Sequence, residues 1–351
     1  MASRMRNGSD PSVKDVASLA GVSVGTVSNV LNYPDRVSTS LVKRVNKSIN
    51  QLGYVRNEAA RQLRVGQSKT IGFLVPNLHD PFHEELFRGV DDAATAHGLS
   101  VLVGSLGGNP SREWNLLSLF QKYRLAGVII ASKGLEPLAV RALVNASMNV
   151  VALNVDGKGS GVPSVGVDNG AVGTMAAEHV VAQGAKKVAI LSGIPDERPD
   201  FRLREHGALA LLARHREVAV EILRLDELSV EAGREIGHSL LARPRENRPD
   251  AIISTHDLWA LGALHSVLAS SEPTSLGDVL IIGCGDIDTY RISPVGLSSI
   301  RVPAYEMGVA ALEEIIEVSE NENRPIRHTK IAPSLVVRAS SSSPLPSGIV
   351  R

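Results

Sequence analysis

Residues 13–31 read VKDVASLAGVSVGTVSNVL, and this stretch decides how the N-terminal part of the chain folds. Apolar residues recur at helical spacing as far as Ala20, stop at Gly21, and resume at helical spacing from Val27. The pattern predicts a helix, a tight turn with Gly21 at positive φ, and a second helix capped by Ser23. The alternative is an ordinary helical hairpin, because short motifs also match by chance.

The second predicted helix presents a small and mostly polar face to solvent, formed by Val24, Gly25, Thr26, Ser28 and Asn29. A helix with such a face fits a DNA major groove, which is about 12 Å wide. A third helix is predicted from the apolar residues at positions 41, 45, 49 and 52, with Ser38 or Ser40 as cap and Gly53 as stop. We therefore predict a disordered segment over 1–11 and an all-α DNA-binding headpiece over 12–55.

The charge of the chain is unevenly distributed, although its formal net charge is zero. The first 70 residues carry 11 Lys or Arg and 4 Asp or Glu, a net charge of +7, which leaves −7 for the rest of the chain. A polyanion would therefore bind at the N-terminal end, while the acidic remainder gives no general affinity for nucleic acid.

Other features of the composition exclude several classes of protein. Cys284 is the single cysteine, so the chain has neither a disulfide framework nor a cluster of thiolate metal ligands. The first ten residues lack the apolar core of a signal peptide, and no apolar run reaches the roughly 18 residues that a membrane span requires. These observations predict a cytoplasmic protein without membrane association, bound metal or cofactor.

Residues 56–70 form a basic linker that contains a potential hinge helix of about two turns, RNEAARQLR at 56–64. Such a short helix is marginal in water, since helix nucleation is costly, so it would form only on binding. From residue 71 to 338 the sequence alternates apolar runs with amphipathic segments, and this pattern predicts parallel sheets covered by helices. The tail 339–351 is rich in Ser and Pro, which predicts a flexible segment without a coiled coil.

Seven strands and seven helices are predicted in this region. The strands are Ile71–Val75, Ser100–Gly104, Gly127–Ala131, Val150–Leu153, Val188–Leu191, Ala251–Ser254 and Val279–Gly283, and the helices lie near 84–97, 112–123, 137–147, 171–183, 204–214, 230–242 and 257–270. The region is too long for one sheet, so two α/β lobes are expected, with a ligand cleft at the carboxyl ends of their strands.

Taken in this order, the chain resembles the lac repressor and purine repressor (LacI/GalR) family of bacterial transcription regulators over nearly its whole length. The motifs that carry the resemblance are KDVASLAGVSVGTVSNVLN at 14–32, RVSTSLVKRV at 36–45, LGYVRNEAARQLR at 52–64, IGFLVPN at 71–77, RLREHG at 202–207, HDLWALGA at 256–263 and SLVVR at 334–338. The family joins a helix-turn-helix headpiece through a hinge helix to a core like a periplasmic sugar-binding protein. The resemblance implies an N-lobe of about 71–167 and 301–329 and a C-lobe of about 168–300 and 330–338.

The resemblance also implies which residues contact DNA. Val24, Gly25 and Asn29 match base-reading positions of the recognition helix, and Thr26 and Ser28 match positions that hold phosphates. In the hinge, Leu63 matches a minor-groove wedge that kinks the central base step of an operator, and Ala60 is small enough for close approach across the dimer axis. The full set of implied DNA-binding residues is Val24, Gly25, Thr26, Ser28, Asn29, Asn57, Ala60 and Leu63.

For the effector, the family's ligand-clamping arginine matches Arg204. The other implied positions follow predicted strands, where relatives place polar and stacking contacts with ligand. Each has a plainer alternative: Asp257 as a helix N-cap, Phe82 as core, and Asp80 as a turn residue. The implied effector-binding residues are Asn77, Asp80, Phe82, Asn154, Arg204, His256, Asp257 and Asp286.

The chain departs from the family pattern at three positions. Arg56 stands where many relatives have a proline that opens the hinge helix, and Asn154 stands where relatives often have Asp. Gly285 replaces an Asp that contacts ligand in the family, which leaves Asp286 as a substitute and puts the class of ligand in question.

These residues predict a repressor that binds double-stranded operator DNA as a homodimer and responds to a small-molecule effector, a sugar or related metabolite. A solute-binding protein for transport would explain the two lobes but not residues 13–31. An enzyme is disfavoured, because no phosphate-binding loop, nucleophile elbow or zinc-binding helix is found, and His79 and His83 lack a third ligand.

Overall fold

The computed structural model describes residues 11–55, 68–107, 109–131, 137–154, 161–193, 199–270, 278–287, 295–321 and 324–342. The chain divides into two compact units, residues 1–67 and 68–351, and each is treated by itself. The first unit contains the predicted headpiece and the second contains the predicted α/β core.

The headpiece consists of three helices, α1 (Val13–Ala20), α2 (Val24–Asn32) and α3 (Thr39–Leu52), with a short 3-10 turn between the last two. Gly21 ends α1 at φ 61°, and the Ser23 side chain accepts a hydrogen bond from the backbone N–H of Thr26 at the start of α2, as predicted. Apolar side chains from all three helices form one small buried core, made of Val16, Ala17, Ala20, Val27, Val30 and Val45.

The second unit contains two six-stranded sheets. The first sheet is built from β1 (Thr70–Val75), β2 (Ser100–Ser105), β3 (Gly127–Ile130), β4 (Asn149–Leu153), β5 (Ser164–Val167) and β11 (His328–Ile331). Its order is β11-β5-β4-β3-β1-β2, and all of its strand pairs are parallel. In this register Ile71 lies opposite Val101 on one side and Gly127 on the other.

The second sheet has the equivalent layout. It is built from β6 (Lys187–Gly193), β7 (Ala219–Leu225), β8 (Ala251–Ser254), β9 (Leu280–Gly285), β10 (Ser298–Arg301) and β12 (Ser334–Val336). Its order is β12-β10-β9-β8-β6-β7, and only the pairing of β12 with β10 is antiparallel. The chain therefore passes from one sheet to the other after β5, after β10 and after β11.

Helices cover both sheets, as the alternation in the sequence predicts. Those packed with the first sheet are α4 (Pro81–Ala96), α5 (Glu113–Lys122), α6 (Pro137–Asn145) and α11 (Ala304–Glu320). Those packed with the second sheet are α7 (Asn169–Ala182), α8 (Pro199–Leu212), α9 (Val230–Leu241) and α10 (Asp257–Ala269). The predicted fold class, a helical headpiece with a two-lobed parallel α/β core, is confirmed.

The predicted boundaries are corrected in several places. The helix expected over 204–214 begins five residues earlier, at Pro199, and the strands β5, β7, β10, β11 and β12 and the helix α11 were not predicted. The two expected lobe boundaries at 300/301 and 329/330 fall inside β10 and β11. These strands are short or half-exposed, so they lack the continuous apolar run on which the prediction depended.

The prediction of a flexible tail from residue 339 is wrong for its first four residues. Ser340 and Ser341 are fully buried, and the Ser340 hydroxyl donates to the carbonyl of Ile281 on β9. Ser341 Oγ lies 2.7 Å from Nε2 of His179 on α7. Serines satisfy their polar groups here against a strand and a helix distant in sequence, which composition alone does not reveal.

Candidate functional site

The outer face of α2 is available for contact with a large partner. Val24 is 43% exposed, Gly25 and Asn29 are exposed, and the opposite side of the helix packs into the headpiece core. Thr26 and Ser28 are half-buried. The five predicted contact residues of this helix are therefore exposed or half-buried, while its buried residues Val27 and Val30 face the core.

The two predicted phosphate-binding hydroxyls already have partners within the headpiece. Thr26 Oγ1 lies 2.9 Å from Ser23 Oγ, and the side-chain amide of Asn32 donates to Ser28 Oγ at 3.1 Å. A hydroxyl has one donor and two acceptor positions, so these bonds leave capacity for an additional partner while fixing the side chains. Exposed Lys43, Arg44 and Lys47 on α3 add positive charge to the same unit.

The remaining predicted DNA-binding residues, Asn57, Ala60 and Leu63, lie outside the described residues. Their roles, and the predicted hinge helix, stay predictions.

In the core, side chains from both lobes surround a small cavity beyond the carboxyl ends of the strands. The residues that line it are Asp80, Phe82, His83, Asp200, Phe201, Arg204, His256, Cys284 and Gly285. The cavity measures about 20 Å³, which is room for about one water molecule. Sugar-sized ligands need several hundred Å³, so the two lobes must separate for such a ligand to enter.

Asp80 is the acidic centre of this cavity. Its Oδ1 accepts the backbone N–H of Phe82 at 3.0 Å, so it caps α4, and it also lies 3.4 Å from Nε2 of His256. Burial would raise the pKa of this carboxyl, but His256, His83 and the Phe82 N–H together lower it more, and its pKa lies well below the usual value. Asp80 therefore stays ionised, and carries two roles that the sequence offered as alternatives, a turn residue and a cavity residue.

Arg204 is the basic centre. Its Nε donates to Asn169 Oδ1 at 2.9 Å and its Nη1 donates to the carbonyl of Thr255 at 2.8 Å, while only 2% of the residue is exposed. Nη2 makes no hydrogen bond to any described residue. The guanidinium is thus rigidly held and keeps donors for a ligand.

Glycine makes this placement of Arg204 possible. A Cβ on Gly173 of α7 would lie 1.7 Å from the backbone oxygen of Arg204, so only glycine lets α7 and α8 approach this closely. Any larger residue at 173 must push α8, and with it the backbone of Arg204, away from α7.

His256 and Asp257 follow β8, but they have different environments. The His256 ring caps α10 by accepting the backbone N–H of Leu258 at Nδ1, and it packs on Phe201 with ring centroids 5.6 Å apart. Asp257 is fully buried, accepts hydrogen bonds from Ser299 Oγ and from the backbone N–H of Ile287, and is not part of the cavity lining. Burial raises the pKa of its carboxyl. Because it binds Ser299 on β10 and the backbone after β9, Asp257 joins segments inside the C-lobe.

Asp286 is likewise held by protein groups. Its carboxylate oxygens bind Arg301 and Arg338, each at 2.7 Å, and its backbone adopts φ 55° after Gly285 at φ 144°. It lines a separate, open groove of about 500 Å³ next to the cavity. Arg301 and Arg338 therefore already bind the Asp286 carboxylate, which the sequence suggested as a substitute ligand-binding group.

The two predicted asparagines do not line the cavity. Asn77 accepts the backbone N–H of His79 at its side chain and the His83 ring N–H at its carbonyl, so it organises the loop after β1. Asn154 lies at φ 55° after β4, and its buried Oδ1 has no hydrogen-bond partner among the described residues.

Of the eight predicted effector residues, the structure brings four around one cavity: Asp80, Phe82, Arg204 and His256. Sequence reasoning missed Asp200 and Phe201, which precede Arg204 on α8, and His83 and Cys284. The adjacent sequence PDFRLR offered a signal, since it places an acid and an aromatic residue within four positions of Arg204. No group of three or more His, Cys, Asp or Glu among the described residues is placed to hold a metal ion.

Comparison with known proteins agrees with both units. The profile described as "Bacterial regulatory proteins, lacI family" matches residues 12–57, and the profile described as "Periplasmic binding proteins and sugar binding domain of LacI family" matches residues 68–338. The chain belongs to the LacI family. It is therefore a DNA-binding transcriptional regulator and not an enzyme.

Individual LacI-family proteins align with almost the full chain. It is 30% identical to the ribose operon repressor of Bacillus subtilis, over 91% of this chain and 94% of that protein, and 28% identical to the transcriptional repressor CytR of Escherichia coli, over 94% and 96%. The structure of a lac repressor dimer bound to operator and an anti-inducer superposes with a TM-score of 0.80 at 23% identity, covering 95% of this chain and 99% of that one. Among the described residues of this LacI-family chain, no helix is long and apolar enough to cross a membrane.

Proposed function

We propose that the chain is a repressor that binds a near-palindromic operator as a homodimer and is controlled by a sugar in the cleft of its core. The proposal rests on one observation. The same chain has an accessible recognition helix and a cavity lined by a buried carboxylate and a buried arginine. The names of the two curated relatives support the repressor assignment. A regulator of this kind acts in the cytoplasm, where its DNA is.

On the DNA, α2 supplies little direct base readout. Val24 can pack on a thymine methyl group and Asn29 can bind an adenine edge, while Gly25 has no side chain and Thr26 and Ser28 hold phosphates. We therefore assign part of the specificity to the hinge, where Leu63 would insert at the central base step, Ala60 would face its symmetry mate, and Asn57 would contact DNA.

For the effector, the charges in the cavity favour a neutral polyol. A buried, ionised Asp80 is a strong acceptor for sugar hydroxyls and repels a phosphate, and the Phe82 and Phe201 rings can pack on the apolar face of a sugar. With the ribose operon repressor among the relatives, we propose a pentose such as D-ribose.

The effector would act through the position of the lobes. Three segments of the chain join the two sheets, so a change in the angle between the lobes would bend all three. The same movement would shift the start of the core at residue 68, where the headpiece linker is attached. Because the hinge helix is marginal, a coupling free energy of about 1–3 kcal/mol suffices to control whether it folds on DNA.

A direct test combines selection and titration. The purified full chain is used to select duplexes from a randomised library, and the selected duplexes are then titrated with protein in the presence of D-ribose, D-ribose 5-phosphate or D-glucose. We expect selected sites with dyad symmetry and a change in affinity with D-ribose only. Sites without symmetry would contradict the dimer, and an equal response to the phosphorylated sugar would contradict the assigned cavity chemistry.

A further inference from the structure

The residues that cap two helices in different lobes meet inside the cavity. Asp80 caps α4 of the N-lobe, His256 caps α10 of the C-lobe, and Asp80 Oδ1 lies 3.4 Å from His256 Nε2. The side chains of both residues are only 4% exposed. This contact links the two lobes across the space in which a ligand must bind.

The hydrogen-bond pattern fixes the polarity of the contact. His256 Nδ1 accepts the backbone N–H of Leu258 at 3.2 Å, so the ring proton resides on Nε2, which faces the Asp80 carboxylate. A separation of 3.4 Å is longer than a good N–H···O hydrogen bond, and Nε2 has no hydrogen-bond partner among the described residues. The donor and the acceptor therefore face each other at a distance longer than that of a normal hydrogen bond.

We propose that the Asp80–His256 contact is a latch that holds the cleft closed, and that a hydroxyl group of the effector replaces it. The hydroxyl would accept a hydrogen bond from His256 Nε2 and donate one to Asp80, so that one long contact becomes two short ones. This inference rests on the proposed effector function of the cleft. The latch itself needs no ligand, and it can be tested without one.

The capping roles alone do not account for this arrangement. Capping of α10 uses Nδ1 of His256 and capping of α4 uses Oδ1 of Asp80, and neither requires the far ring nitrogen to lie buried against the opposite lobe. The other titratable groups around Asp80 are His83, whose Nδ1 is 3.8 Å from Oδ2 and bonded to the Asn77 carbonyl, and Asp200 and Arg204 in the cavity lining. Of the described groups, His256 alone brings a ring N–H from the opposite lobe to Asp80.

Two substitutions remove the latch and keep both caps. His256→Asn retains a capping oxygen but is too short to reach Asp80, and Asp80→Ser retains a capping oxygen but removes the carboxylate that faces His256 Nε2. Ser229→Ala, which removes the N-cap of α9 in the same lobe, is the matched control for loss of a helix cap away from the cleft.

The measurement is amide hydrogen exchange of the full chain without ligand. It is read in peptides at the start of α4 and at the start of α8, where Phe201 packs on His256. We expect each latch variant to exchange about fivefold faster in both peptides, the change given by loss of one weak hydrogen bond. The double variant should be no faster than either single variant, because both remove the same contact. Additive effects, or an unchanged α4 peptide in His256→Asn, would overturn the latch.

D-ribose titration separates this inference from the proposed function. If the double-variant cycle shows coupling but D-ribose does not bind the wild-type chain, the latch stands and the pentose assignment fails. If D-ribose binds, it should protect both peptides in the wild-type chain, and Asp80→Ser should weaken its binding at least tenfold. Binding that is unaffected by Asp80→Ser would overturn the hydroxyl replacement.

Discussion

The headpiece and the cleft use polar side chains in opposite ways. On α2 the predicted contact residues are small, exposed or half-exposed, and the hydroxyls of Thr26 and Ser28 form hydrogen bonds with near neighbours in sequence. In the cleft, Arg204 and Asp80 are almost fully buried and make contacts with residues far along the chain. Substitutions in the headpiece should therefore alter DNA binding without altering stability, while substitutions in the cleft should alter both ligand binding and stability.

Removal of the Arg204 side chain should have the largest effect. Arg204→Ala removes the donor that binds Asn169 and two buried carbonyls, and bonds to charged groups contribute about 1.5–3 kcal/mol each. We expect the free energy of unfolding of the core to fall by about 3–5 kcal/mol in urea titration, with loss of D-ribose binding. Arg202→Ala, an exposed arginine on the same helix, is the control and should change neither.

A larger residue at the close contact between α7 and α8 should have the next largest effect. Gly173→Ala forces a Cβ against the backbone oxygen of Arg204, and overpacking of this kind costs about 1–3 kcal/mol. Thermal unfolding should show a lower midpoint for the core. Gly25→Ala, where a Cβ meets only Ser23 Oγ at 3.6 Å, should leave stability unchanged. Equal midpoints for wild type and Gly173→Ala would mean that the helices can separate without cost.

Headpiece substitutions should change affinity for DNA alone. Asn29→Ala should weaken binding to a selected site by about 1–3 kcal/mol and relax the base preference at one position in each half-site, because the residue is exposed and has no structural role. Lys43→Ala should instead weaken binding to all sequences and reduce the salt dependence, as expected for a phosphate contact. A loss of thermal stability in either variant would contradict the contrast between headpiece and cleft.

The smallest expected effect is the response to acid. All ten histidines lie beyond residue 70, and burial lowers the pKa of His179, which contacts Ser341. Its neutral form is favoured by folding, so this contribution is present above the unfolded pKa of about 6.5 and is lost as the pH falls through the lower folded value. His179→Asn should therefore reduce the loss of core stability on acidification, measured by urea titration at several pH values.

Local signals in the sequence predicted the headpiece well. Gly21, Ser23 and Gly53 each act within one helical turn of the residues that they cap or stop, so a short window of sequence contains the whole cause. Most core strands were also predicted, because buried parallel strands are apolar throughout. The edge strand β7 was missed, since its residues alternate between half-exposed and exposed positions.

The cleft could be predicted only in part, because its contacts join distant residues. Arg204 followed from its motif, but its bonds to Asn169 and to the Thr255 carbonyl depend on how α7, α8 and β8 pack. Asp257 and Asp286 looked equally suited to ligand binding in the sequence. The structure shows that both are held by protein groups. Asp257 binds partners 30 or more positions away, and Asp286 binds Arg301 and Arg338.

The strand β11 completes the first sheet only late in the synthesis of the protein. This strand pairs with β5 at the edge of the first sheet, yet it is encoded after β6 to β10 of the second. A ribosome releases residues in order at about 5–20 per second, so the first sheet leaves the exit tunnel with one edge uncovered and must wait for the second lobe to be synthesised. Nascent chains that stop before residue 328 should therefore expose β5 as an open edge, a target for chaperones and proteases.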